Sequence, residues 1–315
     1  MTAYLIRRIG ISIIVVIGIA ALSFFMLHIV APAPGRAILG SKASLAQVNA
    51  FNKANGYDNP WWYEFYQYMV HLFQGNLGNS YKTGQTVDTV IGENLLRSAW
   101  LSGVALVLSI VIAVPLGIFQ AVKRNKFTDQ ALTAGAFVTY SMPQNVLGII
   151  LIGVFAIKLG WFPVSATSSE SLPVIITSVR SMFLPVVTLV ATTVAGYSRY
   201  MRSSALDALA QDYIRLARAK GLRERAVLSR HLFRNASLSM ITLVGLSIPN
   251  LLAGNLIVEN LFNYHGLGLL FINELSNEDF PTVIALTIIG GVATVIGNLV
   301  ADVALSVADP RIRIA

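Results

Sequence analysis

The 315-residue sequence contains no cysteine. That excludes disulfides, thiolate metal sites and cysteine nucleophiles, and it leaves the redox compartment open. Charge is scarce as well: 12% of residues are Asp, Glu, Lys or Arg, against about 25% in a typical soluble domain. The four histidines, His28, His71, His231 and His265, have no metal-ligand spacing, and no HExxH-type pairing occurs. Gly75–Gly84 is glycine-rich but lacks the Gly-Lys-Ser/Thr ending that cradles a phosphate. ATP hydrolysis is therefore not expected of this chain. No nucleophile–base constellation is visible either, which argues against a membrane enzyme.

Apolar sequence is abundant, at 55% hydrophobic residues with a formal charge of +8. The positive sign suggests anionic lipid or an acidic partner rather than nucleic acid, because the apolar residues come in long runs. A helical membrane span takes about 20 apolar residues. Six segments qualify: Ile9–Ile29, Ala99–Phe119, Ala131–Ile157, Ser181–Ser198, Ala236–Val258 and Phe280–Ala301. The first follows Arg7-Arg8 and precedes Ala31-Pro32-Ala33 as a signal peptide would, but its length exceeds a signal core and favours an uncleaved span. The third is expected to tilt or bend at Pro143, and the fifth holds Pro249. The expectation is an all-α membrane protein with six transmembrane helices.

An even number of spans places both termini on one side. With the N-terminus inside, the cytoplasmic pieces hold 16 of the 23 Lys and Arg residues and the outer pieces hold 7. The positive-inside rule then predicts cytoplasmic termini. Residues 1–30 read as the N-terminus and first span, 31–97 as an outer segment, and 98–315 as a five-span core. Trp61–Gln74 in the outer segment is aromatic-rich and predicted helical. It would lie along the outer interface or pack on the bundle as a cap.

The cytoplasmic loop 199–234 concentrates the charge. It has nine Lys or Arg residues against Asp207, Asp212 and Glu224. Helix formers dominate and proline is absent, so the pattern predicts a helix, a turn at Gly221, and a second helix. Between Asp212 and Lys220, Ile214, Leu216, Ala217 and Ala219 sit among arginines. Apolar groups on an exposed helix ask for a partner, and the two alanines would allow close approach. Adhesion to anionic lipid is the rival, although lipid attraction needs no glycine turn.

Several motifs carry a resemblance to a known family. They are Asp212-Tyr213-Ile214-Arg215, Ala217-Arg218-Ala219-Lys220-Gly221-Leu222, Arg230-His231 and Arg234-Asn235-Ala236. They resemble the coupling loop of type I ABC importer permeases, in the version of the dipeptide/oligopeptide/nickel group. The loop's Glu-Ala-Ala positions are Arg215, Leu216 and Ala217 here, so the usual glutamate is missing. Gly75-Asn76-Leu77-Gly78-Asn79-Ser80-Tyr81, Leu159–Val164, His265-Gly266-Leu267-Gly268 and Asp309-Pro310-Arg311 are similar to further family elements. The long segment after the first span suggests the B-type subunit.

The resemblance implies a non-catalytic subunit in the inner membrane of a prokaryote. Its partners would be a second permease, two ABC ATPase domains that hold the ATP and Mg, an external substrate-binding protein and a peptide. This chain itself would bind no cofactor. Asp212, Tyr213, Ile214, Arg215, Ala217, Arg218, Ala219, Lys220 and Gly221 would couple to an ATPase groove. Nickel chelates, glutathione and oligosaccharides are alternative cargoes.

Polar residues within spans are costly and often functional, although they also hold helices together. Gln144, Asn145, Asn250, Asn255, Glu259 and Asn298 are the candidates for the translocation path. Glu259 is expected at the outer mouth. Asp302, four residues after Asn298 on one helix face, is expected to pair with Arg311 or Arg313. A secondary transporter would instead show repeats and an intramembrane charge relay, and neither is evident.

Overall fold

A computed structural model of the chain describes residues 2–30, 35–40, 42–54, 58–166 and 178–308. Regular structure among them is helical, apart from one antiparallel bridge between Asn79 and Thr86. In chain order the helices are α1 (Thr2–Val30), α2 (Gly35–Leu39), α3 (Leu45–Ala54), α4 (Trp61–Phe73), α5 (Val87–Val122), α6 (Phe127–Ser141) and α7 (Gln144–Lys158). There follow α8 (Val179–Leu209), α9 (Asp212–Ala219), α10 (Glu224–Ala236), α11 (Leu238–Ala253), α12 (Leu256–Leu261), α13 (Leu267–Ser276) and α14 (Phe280–Ala308).

Three of these, α5, α8 and α14, are long and apolar enough to cross a membrane unbroken. The pairs α6–α7 and α10–α11 are bent by 102° and 46° and bring the number to five if each counts as one span. α1 contributes a shorter apolar stretch, Gly10–Met26. The described helices thus support three to five spans by length and composition, where six were expected.

Proline and glycine account for the breaks at Pro143 and Gly254. The expected third span, Ala131–Ile157, is two helices because Met142, which precedes Pro143, is held extended at ψ 125°. The proline ring excludes its predecessor from the helical region. In the expected fifth span the helix pauses in a turn at Leu246–Ser247, just before Pro249. The proline lies in the first turn of Ile248–Ala253, where its missing N–H was needed by no carbonyl. A further break comes at Gly254, whose φ of +79° continues no right-handed helix. The fourth span overshoots its expected end at Ser198, and α8 carries on as helix to Leu209.

Close helix contacts are made over small residues. At Gly117 of α5 an added Cβ would fall 2.6 Å from the Met201 side chain and 2.7 Å from the Ser198 carbonyl on α8. Gly297 of α14 approaches the Gly245 carbonyl of α11 in the same way. In a bilayer the hydrophobic effect does not distinguish lipid from protein, so such backbone proximity and its dispersion energy hold helices together.

The aromatic helix α4 resolves into two faces. Trp61, Phe65 and Tyr68 meet the Phe24 and Phe25 rings of α1 at centroid distances of 5.1–5.8 Å. Tyr68, Met69 and Leu72 join the cluster of Ala20, Ile284 and Ile288 between α1 and α14. Packing on the bundle therefore describes this face, while Trp62, Tyr66 and Phe73 stay exposed.

After α4 the loop through Gly78 returns to the start of α14. Buried Asp279 accepts hydrogen bonds there from Ser80 Oγ at 2.5 Å, from the Tyr81 amide at 3.1 Å and from Thr282 Oγ1 at 3.1 Å. Asp279→Ala should lower stability by about 3 kcal/mol, the scale of removing one partner from a buried charged network. Thermal unfolding of the purified protein measures this, and an unchanged midpoint would show that the loop is not held by this carboxylate.

Candidate coupling surface and translocation path

The basic loop folds as its pattern predicts, with one reversal. Gln211 is extended (ψ 150°) and ends the continuation of α8, so α9 starts at Asp212. Ile214 and Ala217 are 0% and 4% exposed. They pack with Met201, Ala205, Ala208, Val227, Leu232 and Met240. The expected demand of these two residues for a partner is thus met within the chain. An α-helix of eight residues presents two faces, and the inward one anchors α9 to α8 and α10. Tyr213 joins the same cluster half-buried. Asp212, Arg215, Leu216, Arg218, Ala219 and Lys220 point outward.

Gly221 closes α9 as expected. Its φ is +75°. Its amide donates to the Arg218 carbonyl at 2.9 Å, and the Leu222 amide donates to the Ala217 carbonyl at 3.3 Å. These two bonds make a Schellman closure, which satisfies terminal carbonyls and needs a left-handed residue at this position. Arg218 bridges the turn to Glu224, with Nη2 and Nε at 2.7 and 3.2 Å from its carboxylate. This guanidinium holds the Glu224 carboxyl below the ordinary carboxylate range. Both groups lie near solvent, so the pair fixes the turn's geometry more than it adds stability. Arg215, where the family's glutamate would be, contacts Asp212 at 3.3 Å.

Sequence reasoning missed the clamp behind this surface. Asp129 at the start of α6 is 2% exposed. Arg202 of α8 grips it with Nε and Nη2, each at 2.8 Å, and the Asn125 amide adds a third bond at 3.0 Å. The bidentate geometry suits arginine specifically. The one available signal was a lone acid following the basic run Lys123–Lys126.

The path candidates divide. Gln144, Asn250 and Asn255 come together around a cavity of about 200 Å³ with Ser102, Thr193 and Ser247. Gln144 bonds Thr192 at 3.2 Å and Asn255 at 3.4 Å. Asn145, the neighbour of Gln144, is exposed and does not line that cavity. Asn298 faces a different groove, between α1 and α14. Asp302 pairs with Arg8; Arg311 and Arg313 lie outside the described residues.

Glu259 is not at a mouth. It is fully buried and accepts from Ser98 Oγ at 2.8 Å, from the Asn255 amide at 3.0 Å, and from the Gly268 and Leu269 amides at 2.7 and 3.3 Å. The last two are the free N–H groups that open α13, where a carboxylate is favoured by the helix dipole. The glycines of His265-Gly266-Leu267-Gly268 thereby acquire a reason. A Cβ on Gly266 would collide with the Ser98 hydroxyl and the Glu259 carboxylate, and one on Gly268 would lie 2.8 Å from the Asn255 carbonyl carbon.

A bundle of apolar helices around a small polar cavity, with a short amphipathic helix displayed from a basic loop, has the build of a membrane transport component. The chain belongs to the family described as binding-protein-dependent transport system inner membrane component, which matches residues 113–314, and that family's N-terminal component matches residues 1–102.

The chain is 35% identical to the oligopeptide transport system permease protein AppB of Bacillus subtilis, over 99% of this chain and 100% of the relative. It is 31% identical to the dipeptide transport system permease protein DppB of Lactococcus lactis, over the whole of both. It is also 31% identical to the glutathione transport system permease protein GsiC of Salmonella typhimurium, over 99% of both. A chain from inward-facing structures of the MetNI methionine ABC transporter shares the fold. Its TM-score is 0.54 at 14% identity, with 70% of this chain and 96% of that chain covered. The protein is thus a multi-pass inner-membrane permease subunit of an ABC importer, a family that works with an ATPase and a substrate-binding protein.

Proposed function

We propose that this chain is the B-type permease of an importer for di- or oligopeptides. It pairs with a second, homologous permease and with two ABC ATPase domains, which hold the ATP and Mg; this chain holds no cofactor. A binding protein delivers the peptide from outside. Both termini are cytoplasmic, a reading that rests on 16 of 23 basic residues falling on that side.

The observation that carries the coupling role is the two-faced α9. Its inner face is locked by Ile214 and Ala217, while Leu216, at 56% exposure, and Ala219 remain uncovered beside Arg215 and Lys220. A helix anchored on one side and bare on the other transmits a push from an ATPase groove to α8 and α10 as a unit. The clamp between Asp129 and Arg202 extends that unit to α6. Gln144, Asn250 and Asn255 offer amides to a peptide backbone along the path. The inclusion of a glutathione permease among the relatives supports a second cargo reading, glutathione.

Competition of labelled peptide uptake in cells with and without the gene tests the proposal. Peptides of two to six residues should compete, whereas glutathione and a nickel chelate should not. Competition by glutathione alone would transfer the cargo assignment to the second reading, and gene-independent uptake would remove both.

A further inference from the structure

Helices α1 and α14 meet along an apolar stretch that includes Ala20, Ile284 and Ile288, and again near the N-terminal end of α1, with a groove beside the line of contact. Along the apolar stretch Gly291 lies against Ile19, so closely that a Cβ there would collide with it. Near the N-terminal end Arg8 forms an ion pair with Asp302. From Gly291 to Asp302 the α14 axis rises about 16 Å at 1.5 Å per residue. The groove has a volume of about 710 Å³, and its lining includes Arg7, Arg8, Ser12, Val15, Thr294 and Asn298.

The lining is graded in polarity. Two guanidinium groups stand at the N-terminal end of α1. Ser12 and Asn298 follow, with Ile11 and Leu299 beside them, and Val15, Val295 and Ile19 make a mainly aliphatic wall beyond, interrupted by Thr294. Asp302 offsets one of the two positive charges, so Arg7, Arg8 and Asp302 together leave the groove's end at +1. The order of charge, hydroxyl and amide, then hydrocarbon is the order of groups along a phospholipid.

We propose that this groove is a binding site for an anionic phospholipid. The phosphate lies at Arg7 and Arg8, the ester region lies near Ser12 and Asn298, and an acyl chain runs along Val15 and Val295. Basic pockets between membrane helices attract anionic headgroups, and a zwitterionic lipid brings no net charge to match the +1. The assignment rests on the proposed orientation only in placing α1's N-terminus at the anionic cytoplasmic leaflet. Because α1 touches the bundle along α14 and α4, a lipid wedged here would fasten α1 to α14.

Native mass spectrometry of the detergent-purified complex tests this, with added phosphatidylglycerol or phosphatidylcholine. Phosphatidylglycerol should be retained preferentially. Arg7→Gln, which leaves the Arg8–Asp302 pair intact, should reduce that retention about fivefold, the effect of one arginine near a charged membrane surface. Asn298→Phe, which fills the groove, should abolish it, with unfolding midpoints checked for both variants. Equal retention of the two lipids, or undiminished retention by Arg7→Gln, would overturn the proposal. So would a crosslink from Asn298→Cys to a second permease, which would show that protein covers the groove. The readout requires no transport, so failure of the peptide assignment leaves it intact.

Discussion

Replacing Glu259 with alanine is expected to be the most damaging single substitution in the chain, costing on the order of 3–5 kcal/mol, as removal of one side of a buried charged network does. The side chain is 0% exposed and accepts from one hydroxyl and three backbone amides. Alanine would leave Ser98 Oγ and the amides of Asn255, Gly268 and Leu269 without an acceptor where no water replaces it, and unmet buried donors carry the full desolvation penalty. Ser98 itself accepts from the Leu267 amide at 2.7 Å, so the loss would spread from α12 to α5 and to the first turn of α13.

Glu259→Gln keeps one carbonyl oxygen but turns an NH2 group toward N–H donors, so it should fall between wild type and Glu259→Ala. Thermal unfolding in detergent and the amount of protein reaching the membrane are the measurements. Wild-type midpoints in both variants would contradict the structural role. Gly266→Ala should resemble Glu259→Ala, because its methyl group would occupy the space of the same carboxylate.

The second large effect is expected at Gly221, and it is functional more than global. Proline fixes φ near −65° and has no N–H, whereas Gly221 holds φ +75° and donates to Arg218. Gly221→Pro therefore removes the closing bond and changes the angle between α9 and α10. With α9 no longer held in line, ATP hydrolysis by the assembled importer should continue while peptide uptake falls at least about tenfold, the equivalent of roughly 1.4 kcal/mol of lost coupling.

Gly221→Asn provides the control. Asparagine enters the left-handed region more readily than other side chains, so it should retain most of the uptake. Measuring the ratio of uptake to hydrolysis in reconstituted complexes separates coupling from expression. Equal ratios in Gly221→Pro and wild type would sink the idea. Equal defects in the proline and asparagine variants would show that the backbone angle is not what matters.

Much of this was legible from local chemistry. The turn at Gly221 was readable because one residue type satisfies the left-handed closure of a helix. The short helix Asp212–Lys220 was readable from its helix formers, whereas its separation from α8 by the extended Gln211 had no local signal. Pro143 was identified as a bending point, although the size of the bend depends on how α7 packs against Gly148's neighbours Leu261 and Phe262. Pro249 follows a turn at Leu246–Ser247 and sits in the first turn of the helix that resumes, where a proline is tolerated. Arg215 and Asp212 form a pair three residues apart, as local spacing allows, but Asp129 and Arg202 lie 73 residues apart and no periodicity connects them.

The same limit separates the polar residues. Gln144, Asn145, Asn250, Asn255, Glu259 and Asn298 were equivalent as polar groups among apolar neighbours. Only the packed helices put three of them around one cavity, turned Asn145 outward, gave Asn298 to the α1–α14 groove and buried Glu259 under backbone amides.

By itself, the sequence determined that this is a helical membrane protein with a basic loop carrying a glycine-closed helix, because hydropathy, net charge and helix termination act over a few residues each. Tertiary structure decided which way α9 faces, where the bent spans break and which carboxylates are structural. Those outcomes depend on hydrogen-bond donors and small-residue contacts contributed by segments far apart in the chain, and burial decides whether a polar group serves the fold or remains free to meet a ligand.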